Sequence, residues 1–105
     1  MKHLVGVLSG PVINFTSELE IGMDKVAKEC GFTVVNRAFH QFEPVGVTGV
    51  LVLAESHFSA HTYPEDNMTY IDVFCCSPFF NPELCAHSIE KAFGGHLDWS
   101  VINRR

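Results

Sequence analysis

No stretch of the 105 residues approaches the roughly 18 consecutive apolar residues that a helical membrane span requires, so none is expected. Basic residues are few: Lys and Arg number 7 against 12 Asp and Glu, and the net charge is −5. They cluster only at the terminal Arg104-Arg105, so no nucleic-acid partner is expected. There is no linker, repeat or low-complexity stretch. Cys-x-x-Cys and His-Glu-x-x-His are both absent, and despite 6 histidines and 4 cysteines no metal site is expected. The cysteines have no framework spacing and read as thiols of a reducing compartment. Met1-Lys2-His3 leads only into a short apolar run that stops at Ser9-Gly10-Pro11, which does not read as an export signal; a cytoplasmic location is expected.

What is present is apolar residues, 47% of the chain, enough for one core near the small end of what is stable alone. Association into a homodimer, or a dimer of dimers, would help. Residues 3–8 read as a first strand. From about Ser17 to Cys30 the positions Leu19, Met23, Val26 and Ala27 recur at helical spacing, with Thr16 or Ser17 as cap and Gly31 as stop. Residues 32–42 read as a strand, Glu43-Pro44 as a break, and 45–54 as a nearly all-apolar central strand. After a turn at residues 65–67, the alternation over 68–76 puts Tyr70, Asp72 and Phe74 on one face. Asn81-Pro82 starts a helix whose apolar stripe ends at Gly94-Gly95, and residues 96–103 read as a last strand.

The order is β-α-β-β, a reactive connection, then β-α-β, which predicts an α+β two-layer sandwich: a mainly antiparallel sheet with two helices on one face. The connection is the stretch of interest. Glu55-Ser56-His57 and His61-Thr62-Tyr63-Pro64-Glu65 follow directly on the apolar run, so a serine, two histidines and two carboxylates leave the end of a buried strand. A serine hydroxyl is a weak nucleophile. To attack its own preceding carbonyl it needs hydrogen-bond donors for the oxyanion and a group to move the proton. An unbroken strand would place Ser56 and His61 on opposite faces, so any cooperation between them would need a bend or bulge.

These residues, with Gly46-Val47-Thr48-Gly49, Asp72-Val73-Phe74 and Cys76, resemble the processing site of the small bacterial and archaeal S-adenosylmethionine decarboxylases. Weaker likeness runs back through Phe39-His40-Gln41-Phe42 to Lys2-His3-Leu4-Val5. The resemblance implies one domain of residues 1–105 that cuts itself between Glu55 and Ser56, giving 1–55 and 56–105 and turning Ser56 into a covalent pyruvoyl group. It implies that Thr48, in place of the family's serine, and His61 assist processing, with His61 removing the Cα proton of Ser56.

The pyruvoyl carbonyl of the family forms a Schiff base with the amine of a small amino-acid-type substrate and takes up the electrons left by CO2. Cys76, 20 residues after Ser56, is then the expected proton donor, because a thiol is ordinarily protonated at neutral pH. Cys75, on the opposite strand face, is expected in the core. Phe42, Tyr63 and Glu65 match substrate-side positions. Tyr63 stands where the family has tryptophan, and Asp66 could pair with a cationic substrate. S-adenosylmethionine is thus the expected substrate, for polyamine synthesis; ornithine or arginine is the alternative, and a non-catalytic relative that binds a partner enzyme is the third reading.

Overall fold

The computed structural model describes residues 1–104. The elements are β1 (Lys2–Ser9), α1 (Thr16–Cys30), β2 (Val34–Gln41), β3 (Val47–Leu53), β4 (Ser56–Tyr63), β5 (Met68–Cys75), α2 (Pro82–Phe93) and β6 (His96–Asn103). The strands form one six-stranded sheet in the order β2-β3-β4-β5-β1-β6, antiparallel at every pairing. Both helices pack on one face, so the expected two-layer sandwich is present. No described helix is long and apolar enough to cross a membrane.

The period-2 alternation of each strand decides what the helices cover. Leu4 and Leu8 of β1, Leu51 of β3, Phe58 of β4, Val73 of β5 and Leu97 of β6 are buried against Leu19, Met23 and Val26 of α1 and Ile89 of α2. Cys75 is buried on this side, as expected. The helices also meet each other closely: a Cβ on Gly22 of α1 would lie 2.1 Å from the Phe93 ring of α2, so a larger residue there would have to displace that ring.

Two expectations are corrected. The reactive connection is itself a strand: β4 pairs in unbroken register with β3, from Thr48↔His61 to Leu53↔Ser56, and with β5. Its polar residues His57, Ser59 and His61 are the uncovered half of an alternation whose other half, Phe58, Ala60 and Thr62, is buried. The cap of α1 is Phe15, and neither Thr16 nor Ser17 caps the helix. The Glu18 carboxylate turns back to accept the Phe15 N–H at 3.1 Å, and Gln41 of β2 accepts the Thr16 N–H at 2.9 Å. A distant strand therefore finishes the helix, a contact that local spacing does not encode. At α2 the Asn81 side chain does cap, accepting from the Leu84 N–H at 3.1 Å with Pro82 next, as expected.

Candidate active site

A tight turn at Ala54 and Glu55 joins β3 to β4, so Ser56 is the first residue of a strand pinned on both sides by Leu53 and Cys75. Its φ is 151°, a value side-chain-bearing residues rarely adopt, so the backbone is strained where Glu55 joins Ser56. The carbonyl before that strained residue is not free: the Cys76 backbone N–H donates to the Glu55 carbonyl oxygen at 2.9 Å. A donor so placed polarises the carbonyl toward attack and holds the negative charge that attack would create. The Glu55 carboxylate accepts from the Thr33 N–H at 3.2 Å, and the Ala54 N–H donates to the Thr33 carbonyl at 2.9 Å, fixing the turn from the other side. A cavity of 220 Å³ adjoins it, lined in part by Glu55, Cys75, Ser77 and Phe79. Cys76 itself is exposed directly after β5.

The remaining expected residues gather elsewhere. Thr48 and His61 face each other across β3 and β4, with Thr48 Oγ1 and His61 Nδ1 at 2.7 Å. His61, Tyr63 and Asp66 line a cavity of 270 Å³ with Tyr70, whose ring meets Tyr63 edge-on at 5.4 Å. Phe42 is exposed past the end of β2, its ring T-shaped on His40 at 4.7 Å, and His40 is the strand partner of Thr48. Glu65 is exposed in the short helical turn Pro64–Asp66.

The expected residues thus fall into two groups, the halves of the expected site, here called half-sites: Glu55, Ser56 and Cys76 at one end of β4, and Thr48, His61, Phe42, Tyr63, Glu65 and Asp66 toward the other. Five residue steps separate Ser56 from His61, about 17 Å at strand rise. The unbroken register of β4 contains no bend or bulge to close that gap, so that need is not met and one chain does not bring His61 to its own Ser56.

Sequence reasoning missed a third group on the uncovered face between the half-sites. His3 of β1 and His57 of β4 both flank Phe74 of β5 in register, and both direct Nε2 to Asp72 one face-position along. His3 Nε2 bonds Asp72 Oδ1, His57 Nε2 lies 3.5 Å from Oδ2, and the Ser59 hydroxyl donates to Oδ2 at 2.7 Å. Burial opposes ionisation of Asp72, but the Ser59 and His3 hydrogen bonds, with the nearby imidazoles, outweigh it and hold the carboxyl below its ordinary value. The alternation of β5 was legible; its pairing with β1 was not.

A family model described as S-adenosylmethionine decarboxylase matches residues 4–105. An S-adenosylmethionine decarboxylase proenzyme of Symbiobacterium thermophilum is 47% identical over 75 residues, 71% of this chain and 57% of that protein. One of Moorella thermoacetica is 40% identical, with 98% of this chain and 86% of that protein covered. The chain spans about half the length of several such relatives, from 50% for that of Thermodesulfovibrio yellowstonii to 57% for that of Symbiobacterium thermophilum. Among solved structures, the crystal structure of the adenosylmethionine decarboxylase from Aquifex aeolicus superposes with a TM-score of 0.88 at 27% identity, covering 98% of this chain and 88% of that one.

Proposed function

The chain belongs to the S-adenosylmethionine decarboxylase family, and from that premise we propose that it is a self-cleaving proenzyme that decarboxylates S-adenosylmethionine, with Ser56 the source of its pyruvoyl group. The observation that carries the reading is the Glu55-Ser56 peptide, strained at Ser56 and polarised by the Cys76 N–H at 2.9 Å. In this reading the Ser56 hydroxyl adds to the Glu55 carbonyl carbon while the Cys76 N–H holds the oxyanion. The C–N bond breaks, the hydroxyl proton passes to the amine, and an ester joins Glu55 to Ser56 Oγ. A base removes the Ser56 Cα proton, the Glu55 α-carboxylate leaves, and water replaces nitrogen as ammonia departs, leaving chains 1–55 and 56–105. The 105 residues act as one domain throughout.

The pyruvoyl group supplies an electrophilic carbonyl for the substrate amine and a sink for the electrons left by CO2. Ser56 fits as its source because it begins the second fragment and stays anchored after cleavage by its pairing with Cys75. The exposed Cys76 thiol, next along from that partner, returns a proton to the product carbon.

The missing base comes from a second copy. The sheet face opposite the helices is uncovered and carries Val52, Tyr70 and Ile102 at 43%, 46% and 50% exposure, beside the partly exposed Val5, Val7 and Phe74. Such a face calls for a partner surface. Two sheets meeting face to face about a two-fold axis would bring the Thr48–His61 end of one copy to the Ser56 end of the other, where Ser56, which strand alternation sets on the opposite face from His61, has to turn at its strained backbone to meet that base and complete two sites per homodimer. In the tautomer whose Nδ1–H donates to Thr48 Oγ1, His61 Nε2 is the nitrogen left to take the Cα proton. The cavity at Tyr63, Asp66 and Tyr70 would then hold the far end of the substrate by aromatic contact with Phe42, Tyr63 and Tyr70, with Glu65 and Asp66 toward its positive sulfonium. The same carboxylates would suit the cation of ornithine or arginine. Carboxyl-labelled S-adenosylmethionine, ornithine and arginine, each offered without pyridoxal phosphate, test the reading: CO2 release from the first supports it, and release only from the others moves the specificity to a basic amino acid.

A further inference from the structure

We propose that His3, His57 and Asp72 form a binding site for a divalent transition-metal ion of the zinc type on the uncovered face of the sheet. The three ligand atoms, one from each side chain, all lie within 4.8 Å of one another. A tetrahedral ion with bonds of about 2.1 Å holds its ligands roughly 3.4 Å apart, so small side-chain rotations suffice to seat one. His57 Nε2 and Asp72 Oδ2 already stand at 3.5 Å.

The site is built from three neighbouring strands. His3 and His57 sit either side of Phe74, and its ring meets theirs at centroid distances of 5.5 and 5.9 Å, which fixes both imidazoles with Nε2 toward Asp72. The Ser59 hydroxyl donates to Asp72 Oδ2 at 2.7 Å and orients the carboxylate, as an outer-shell hydrogen bond orients a ligating carboxylate. Two imidazoles and one carboxylate favour zinc, cobalt or nickel over calcium or magnesium, which take all-oxygen sets. Three protein ligands leave a fourth tetrahedral position for water or another donor. The ion would join β1, β4 and β5 and hold His57, the neighbour of Ser56. The inference stands on these side chains and not on the decarboxylase chemistry, and in the proposed homodimer the ion would sit in the seam between the two sheets.

The test is equilibrium dialysis of the metal-stripped full chain against zinc, read by elemental analysis, with cobalt as a spectroscopic probe. One zinc per chain is expected. Loss of an outer-shell partner costs about 10–100-fold in affinity; Ser59→Ala should lose affinity in that range and His3→Ala or Asp72→Asn should lose more, whereas His87→Ala and His96→Ala should bind as the parent does. Should a variant fail to fold, cobalt added to the unmutated protein must shift the imidazole proton resonances of His3 and His57 and spare His87 and His96. Substoichiometric zinc, binding indifferent to His3 and Asp72, or cobalt shifts centred on other histidines would each overturn the proposal.

Discussion

The Cys76 N–H offers a test of self-cleavage that separates backbone from side chain. Cys76→Pro deletes the donor to the Glu55 carbonyl, now at 2.9 Å, and the thiol with it, whereas Cys76→Ala deletes the thiol and keeps the N–H. Cys75 is in extended strand, the conformation a following proline favours, so the substitution suits the local backbone. Removing one preorganised oxyanion donor costs about 2.7–4 kcal/mol, or about 10²–10³ in rate. Cleavage of freshly refolded protein, followed by denaturing gel or mass spectrometry, should therefore be about 10²–10³ slower for Cys76→Pro than for Cys76→Ala. Circular dichroism and a melting curve control for folding. Cys76→Ala should cleave near the parental rate yet lose most turnover, because its defect lies in protonating the product carbon. Equal cleavage by the two folded variants would refute the assignment of the Cys76 N–H as the oxyanion donor.

If the half-sites belong to different copies, refolding Ser56→Ala together with His61→Ala should restore cleavage of the His61→Ala chains, which neither variant shows alone; absence of rescue would place the base within one chain. Light scattering should give at least twice 11.7 kDa, and Tyr70→Glu, which puts a charge on the uncovered face, should lower that mass and slow cleavage. Thr69→Val should stabilise by about 1 kcal/mol in urea denaturation, because the buried Thr69 hydroxyl has no hydrogen-bond partner among the described residues and its desolvation is uncompensated. Gly95→Ala should destabilise by about 2–3 kcal/mol or more, since φ is +88° there and a Cβ would lie 2.3 Å from the Ser9 carbonyl oxygen.

Local chemistry made much of the fold legible. Asn81-Pro82 marks the start of α2, the alternation through Tyr70, Asp72 and Phe74 marks the exposed face of β5, and the limits of β6 follow from His96 and Asn103. β4 was hidden by the chemistry its polar residues suggest. His57, Ser59 and His61 look like a polar loop when read as chemistry, while the buried Phe58, Ala60 and Thr62 between them are the period-2 signature of a strand with one covered face. The motif named the residues of both half-sites but not their separation, because only the register of β3 with β4 shows Ser56 and His61 at opposite ends of one straight strand. The His3–His57–Asp72 cluster has no local signal at all: it exists because β1, a strand from the start of the chain, inserts between β5 and β6.

Intact-mass measurement of the purified protein tests the central claim most directly. The account predicts two fragments, residues 1–55 and 56–105, the second beginning in a pyruvoyl group that blocks Edman degradation and reacts with hydroxylamine, while Ser56→Ala stays at the full 11.7 kDa. Unmutated protein that keeps its full mass after long incubation, with no carbonyl reactive to hydroxylamine, would contradict it.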